Sequence, residues 1–391
     1  MQVIETEVAR CTLAATVKQS ELKAALARVA HAVSTRSTLS ILSNILIATE
    51  GDHLRISATN LEIAMSVTVA GYVTEQGSTT IPAKLFTDYI NSLGTGEVEL
   101  APLLGGMQGL RVRSGTRESN IRGMSPDEFP RMPDTSESQH IFTIDAVTLR
   151  SMIRSTAIAF ARDDERPIFT AILTTIKDDL LTMVSADTFR LAMHNTTLTG
   201  AAHFDDLLVP GTTYETLASV LPTSGTVDVA LGKNQIFFSM PDLLLGSRLI
   251  DGTYAVWQAI VPPNFATRVV MPTERLKEVI GSTSLFAKSE SASNTVRISV
   301  TPGQDGLTPG VVTMVATNDE MGDSTGTVDA TVDGPAVTIL FNVKYVAQAL
   351  ATIDTPEVVL ELNSAQSPGR MSPMGYTSTC AHILMPLYSR G

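Results

Sequence analysis

The stretch Ser20-Glu21-Leu22-Lys23-Ala24-Ala25-Leu26-Ala27-Arg28-Val29 sets Leu22, Ala25, Leu26 and Val29 at the three- and four-residue intervals of one helix face. The same face returns as Leu149, Met152, Ile153 and Thr156, and again as Leu276, Val279, Ile280 and Thr283, each time 127 residues further on. Each copy continues with an alternating strand that closes in a small polar turn: Leu54 to Asn60, Leu181 to Asp187, and Val312 to Asn318. A second helix is expected after Pro82, Pro210 and Asn342, where Phe86 and Leu93, Tyr214 and Leu221, and Val346 and Ile353 fall at matched spacing. A period this long describes whole domains, since solenoid units run only about 20–50 residues.

Three tandem domains are therefore expected, over 1–139, 140–264 and 265–391. The joints support this division. Ser125-Pro126-Asp127-Glu128-Phe129-Pro130-Arg131-Met132-Pro133 and Val261-Pro262-Pro263-Asn264 are proline-rich, which keeps them extended and stiff. Outside the helices, alternation such as Val98-Glu99-Leu100, Val227-Asp228-Val229 and Val358-Val359-Leu360 signals strands, with Gly, Pro, Asn and Asp turns between them. Two helices among many strands per copy give an α+β fold, with antiparallel sheet on one side of each unit and helices on the other.

With 391 residues, 43% of them apolar and 17% charged, each domain can bury a core without a metal or a disulfide. The two cysteines, Cys11 and Cys380, stand far apart in sequence and fit a reducing compartment. No basic segment followed by an apolar run opens the chain, and no apolar run approaches membrane-spanning length, so a cytoplasmic protein without a membrane partner is expected. A net charge of −12 argues at first against nucleic acid. The six helical stretches, however, carry +3 between them within that acidic chain. Mildly basic helices on an acidic body are compatible with a favoured face, and equally with ordinary solvated charge.

The search for chemistry returns little. The histidines at 31, 53, 140, 194, 203 and 382 do not stand at metal-ligand spacing, and no metal or cofactor is expected. Neither a Gly-x-Ser-x-Gly elbow nor a phosphate loop is present, and Gly232-Lys233 ends a strand instead of opening a helix. The run Asp163-Asp164-Glu165 reads as solvated loop charge. Asp187 and His194 could pair in a hydrolase only with an activated nucleophile beside them. No catalytic residue is assigned. The closing Ala381-His382-Ile383-Leu384-Met385-Pro386-Leu387 is apolar where a chain end is normally polar, as a final core strand or the wall of an apolar groove would be.

Four segments resemble one family in order along the chain. Arg36-Ser37-Thr38-Leu39-Ser40-Ile41-Leu42-Ser43-Asn44 is similar to the R-x-T-L-P-I-L-x-N segment of the bacterial sliding clamp, the beta subunit of the replicative DNA polymerase. Ser185-Ala186-Asp187-Thr188-Phe189-Arg190-Leu191-Ala192 resembles its A-T-D-x-x-R-L-A, Phe341-Asn342-Val343-Lys344-Tyr345-Val346 its F-N-x-x-Y-L/V, and Ile383-Leu384-Met385-Pro386-Leu387 its closing V-V-M-P-M/L.

The resemblance implies a head-to-tail homodimer whose six domains close a ring around double-stranded DNA. Two helices per domain would line the inside, with antiparallel sheets outside. A ring holds DNA by topology and needs only weak, sequence-independent phosphate attraction. Lys23, Arg28, Arg36, Lys84, Arg150, Arg154, Arg275, Lys277 and Lys344 would face the DNA. Leu285 and Phe286 would lie on one side of the dimer interface and the strand around Ile121 on the other.

By the same resemblance, a pocket for short partner peptides would be walled by Phe169, Ala186, Leu191, Ala255, Ile260, Ile383 and Met385. Arg166, Arg190, Asn342, Tyr345, Pro368, Pro386 and Leu387 would complete it. The implied partners are the replicative polymerase, the clamp loader and other proteins carrying the clamp-binding peptide. Ala186 and Ala255 stand where the family commonly has threonine and proline, which reshapes the pocket. The rival of a different class is a multidomain protein-binding scaffold that never encircles DNA.

Overall fold

The computed structural model describes residues 12–34, 37–163, 165–200, 203–287, 294–304, 308–318 and 322–388. Arg36, Cys11, Asp164 and the terminal segments lie outside the described residues.

Six α-helices are present among the described residues: α1 (Gln19–Val29), α2 (Ala83–Ser92), α3 (Ala146–Thr156), α4 (Gly211–Val220), α5 (Thr273–Ala287) and α6 (Val343–Ala351). The first helix of each copy begins at Gln19, Ala146 and Thr273, so the 127-residue period of the sequence is a period of the fold. All twelve residues of the expected first-helix faces are buried, from Leu22 through Thr283. So are Phe86, Leu93, Tyr214, Leu221, Val346 and Ile353 on and after the second helices. In each copy the two helices pack on each other, and the first also covers the strand pair behind it. Each second helix starts straight from a strand, at Pro82, Pro210 or Asn342. Only Asn342 adds a side-chain cap, accepting from the Lys344 amide at 3.0 Å.

The chain separates into two compact units, residues 1–145 with 222–249, and residues 146–221 with 250–391. Each holds a twelve-stranded sheet system, and every strand pair among the described residues is antiparallel. These units divide the chain differently from the repeat, and strand pairing gives the reason. In the first unit the long strand Ile63–Glu75 pairs through Ile63 to Val67 with Leu243 to Ser247, so half of the second copy's sheet continues that of the first. In the second unit Arg190–Thr197 pairs with Cys380–Leu384, joining second-copy and third-copy strands.

Candidate functional site: an apolar pocket and the helix cations

The pocket lies wholly in the second unit and is assembled from four short backbone features. The 3-10 turn Pro167–Thr170 brings in Phe169, whose amide donates to the Arg166 carbonyl at 2.9 Å and whose carbonyl accepts from Ala161 at 2.8 Å. A hairpin joins strand Leu180–Ala186 to strand Arg190–Thr197, with Ala186 opposite Leu191. Its turn is held by Asp187, whose Oδ1 accepts from the amides of Phe189 and Arg190, both at 3.1 Å. That geometry puts Thr188 at φ +74°, an uncommon conformation for a β-branched residue. The same turn occurs in the first copy, where Asn60 holds Leu61 at φ +76°. The third feature is the segment Tyr254-Ala255-Val256 with the 3-10 turn Trp257–Ile260. The last is Met385, just beyond strand Cys380–Leu384, with its amide donating to the Phe189 carbonyl at 2.9 Å.

Phe169, Ala186, Thr188, Arg190, Leu191, Tyr254, Ala255, Trp257, Ile260 and Met385 enclose a pocket of about 220 Å³. A dry apolar cavity of roughly 150 Å³ holds benzene, so there is room here for apolar anchor side chains. Phe169 and Tyr254 meet edge to face at 6.0 Å between ring centres. Burial pushes the Tyr254 hydroxyl pKa well above the ordinary phenol range, so the ring stays neutral. Arg190 is the lining's cation, and it is committed. Its Nε donates to Asp187 Oδ2 at 2.9 Å, a second nitrogen donates to Gln348 Oε1, and its guanidinium lies over Tyr345.

Seven of the residues expected at the pocket line it: Phe169, Ala186, Arg190, Leu191, Ala255, Ile260 and Met385. Ile383 pairs with Leu191 in register but is fully buried in the core behind, and Pro386 is buried as well. Tyr345 meets the pocket through Arg190, Asn342 caps α6, and Leu387 donates its amide to Leu340 at 2.8 Å. Arg166 is exposed beside the Phe169 turn, and Pro368 is half-buried before strand Gly369–Pro373. Thr188, Tyr254 and Trp257 are lining residues that sequence reasoning did not name. The available signal was Trp257 itself, the one tryptophan of the chain, just before the proline-rich joint Val261-Pro262-Pro263-Asn264.

Asp187 and His194 do not pair. Asp187 serves Arg190 and its own turn, whereas His194 Nδ1 lies 2.7 Å from Ser155 Oγ. Ser155 is 3% exposed, which denies a substrate access to that serine–histidine contact. Among the described residues no group of three or more His, Cys, Asp or Glu is placed to hold a metal ion.

The helix cations fall into two groups. Lys23, Lys84 and Lys344 are exposed and make no ion pair among the described residues. The others are tied down: Arg28 to Asp242 at 2.6 Å, Arg154 to Asp354 at 2.6 Å, Arg275 to Glu278 at 2.6 Å, and Lys277 to Glu274 at 2.9 Å. Arg150 donates to two carbonyls at the end of α4. Of the expected interface residues, Leu285 on α5 is 60% exposed, and Phe286 packs against the third-copy core. The side chain of Ile121 is buried. Its strand, Arg117–Arg122, is the end strand of its sheet.

Comparison with known proteins gives three consecutive family matches: the N-terminal domain of the DNA polymerase III beta subunit over residues 13–133, the central domain over 143–255 and the C-terminal domain over 258–388. The chain belongs to the bacterial beta sliding clamp family. The beta sliding clamp of Synechococcus elongatus is 28% identical over 381 residues, covering 95% of this chain and 98% of the relative. That of Halalkalibacterium halodurans is 26% identical over 372 residues, covering 92% and 95%. Among solved structures, the Bacillus subtilis DNA polymerase sliding clamp superposes with a TM-score of 0.90 at 23% identity, covering 97% of this chain and all of that one. The DNA polymerase III beta subunit of Pseudomonas aeruginosa gives 0.86 at 25% identity, covering 96% and 100%. Three tandem α+β domains, expected from the repeat, with the sliding-clamp fold that the resemblance implied, are what is observed.

Proposed function

We propose that two copies of this chain close head to tail into a ring around duplex DNA. The ring tethers the replicative polymerase, the clamp loader and other peptide-bearing replication and repair proteins, and performs no catalysis of its own. The observation that carries the reading is the threefold two-helix unit at Gln19, Ala146 and Thr273 in a chain of this family. A head-to-tail contact is heterologous and closes only at the right rotation, which three domains in each of two chains supply. The exposed Leu285 and the end strand Arg117–Arg122 suit such a contact, since an exposed apolar side chain and an open strand edge both call for cover.

Lys84 and Lys344 support the DNA reading in a second way. Both stand in the first turn of a helix, where the macrodipole disfavours a cation, and neither turn contains a carboxylate to compensate. A local cost at two equivalent positions is understandable if a phosphate backbone faces them. Partner peptides insert apolar anchors into the pocket of Phe169, Leu191, Trp257, Ile260 and Met385. No helix of the described residues is long and apolar enough to cross a membrane, which agrees with action in the cytoplasm.

The test is topological. Loaded by a clamp loader onto nicked circular DNA, the protein should remain through moderate salt and leave once the circle is cut. Equal retention on circular and linear DNA would favour the scaffold reading, which the net charge of −12 keeps in play. Sedimentation at micromolar concentration should give a dimer. A folded monomer there removes the ring.

A further inference from the structure

Lys23, Arg150 and Lys277 occupy one equivalent position on α1, α3 and α5, spaced by the repeat. In the second and third copies this cation turns onto the end of its neighbouring helix. Arg150 donates to the carbonyls of Ala218 at 2.7 Å and Leu221 at 2.5 Å. Lys277 Nζ donates to the Ile353 carbonyl at 3.0 Å. The last carbonyls of a helix lack partners within it and form the negative end of its dipole, so a cation there is held well.

In the first copy a neutral side chain has taken over that work. Gln19, buried at the start of α1, donates its Nε2 to the Ile90 carbonyl at 2.8 Å. Ile90 lies four residues after Phe86, as Ala218 lies four after Tyr214. The equivalents of Gln19 are Ala146, which has no polar group to offer, and Thr273, whose buried hydroxyl has no hydrogen-bond partner among the described residues. With α2 already capped, Lys23 is exposed and makes no hydrogen bond or ion pair among the described residues.

We infer that Gln19 is a positioning residue that frees Lys23 to attract the DNA phosphates. The first copy thus offers the duplex a first-helix cation that the second and third copies keep for their own structure. This rests on the DNA reading above. The attraction is a point charge on a flexible stem, suited to sliding contact because it fixes neither base nor register.

The experiment uses the full chain and a short blunt DNA duplex, with binding followed by fluorescence anisotropy across a salt series. For the unmodified protein, log K should fall linearly with log salt. Lys23→Gln should flatten that slope by about 0.9 for each Lys23 that meets a phosphate. Lys277→Gln, at a position whose ammonium the Ile353 carbonyl and Glu274 already hold, should flatten it less. Gln19→Ala leaves the net charge unchanged but exposes the Ile90 carbonyl to Lys23. It should flatten the slope as Lys23→Gln does, and the double variant should lose nothing further. An unchanged slope for Lys23→Gln overturns the inference, as does a folded Gln19→Ala protein with the original slope. If Gln19→Ala does not fold, the contrast between Lys23→Gln and Lys277→Gln decides. An unmodified protein with no salt-dependent duplex binding overturns the DNA reading and this inference with it.

Discussion

The guanidinium carbon of Arg190 lies 4.2 Å from the centre of the Tyr345 ring, so the hairpin turn of the second copy is fastened to α6 of the third through one side chain. The same group meets Asp187, and both side chains are nearly out of solvent, at 10% and 14% exposure. Breaking such a pair leaves a carboxylate behind, although here two backbone amides still serve it. Arg190→Met should therefore cost about 2–3 kcal/mol of stability, within the range for a charged hydrogen bond plus a shielded cation–π contact. Arg190→Lys should recover only part, because an ammonium lacks the flat fork that meets Asp187, Gln348 and Tyr345 together. Urea unfolding of the three proteins measures this, and equal midpoints would show that the strut carries no load.

Met385 presents the opposite case, a residue whose loss should be felt by the partner more than by the fold. It is half-buried, lines the pocket, and is held by a backbone hydrogen bond that substitution leaves intact. Met385→Ala should weaken a clamp-binding peptide by about 1–3 kcal/mol, as for a typical interface anchor, with little change in unfolding midpoint. Trp257 is the natural reporter, because the chain's one tryptophan stands in the pocket wall. Titration of its fluorescence with peptide should saturate, and an unaltered affinity in the variant would take Met385 out of the site.

The helices were legible because a period of 3.6 is written in the residues themselves, and every expected face residue from Leu22 to Thr283 is buried. The pocket was legible in part. Phe169, Leu191 and Met385 follow from resemblance, whereas Thr188 and Tyr254 depend on how a turn and a segment happen to fold. The helix charges were least legible. Arg150, Arg154 and Lys277 look alike in sequence as basic residues on a polar face. Which of them reaches a carbonyl at Leu221, Ala351 or Ile353 depends on partners many residues away. Periodicity reports which side of a helix is wet and says nothing of what a wet side chain will touch.

The first copy lets the pocket's divergence be tested. There Ile41, Leu42 and Phe129 are buried together with Met124 and Met132 packed on them, at positions matching the Phe169 turn and the Trp257 segment of the second copy. The first-copy counterparts of the pocket's turn and Trp257 segment thus pack on side chains of their own copy. Phe129→Ala should cost about 3–5 kcal/mol, the usual loss for a buried phenyl group, and leave an apolar hollow. Urea unfolding gives the cost, and uptake of a small apolar ligand such as benzene by the variant alone would reveal the hollow. A fully stable variant that takes up nothing would mean the joint collapses to refill it.

The strand that ends in the pocket also carries the chain's most deeply buried imidazole. His382 is 1% exposed, with Nε2 2.9 Å from the Thr352 hydroxyl. Burial, with help from His194 and Arg190, pushes its pKa down to about 3. Burial lowers that of His194 as well, and it pushes the nearby Cys380 thiol up to about 11, so that group stays neutral. Both histidines are therefore uncharged in the folded protein at neutral pH and titrate near the ordinary value of 6.5 when unfolded. Below that value the unfolded chain binds more protons than the native one, so stability is complete above it and falls as pH drops toward 3. The slope should reach about 1.4 kcal/mol per pH unit for each histidine that stays neutral. Carboxylates begin to contribute only below about pH 5, so the interval from pH 6.5 to 5 isolates the imidazoles. Urea unfolding at several pH values across that interval should show the loss, and His382→Asn should flatten the slope while lowering stability at neutral pH. A midpoint independent of pH from 6.5 to 5 would mean that neither imidazole is kept neutral by the fold.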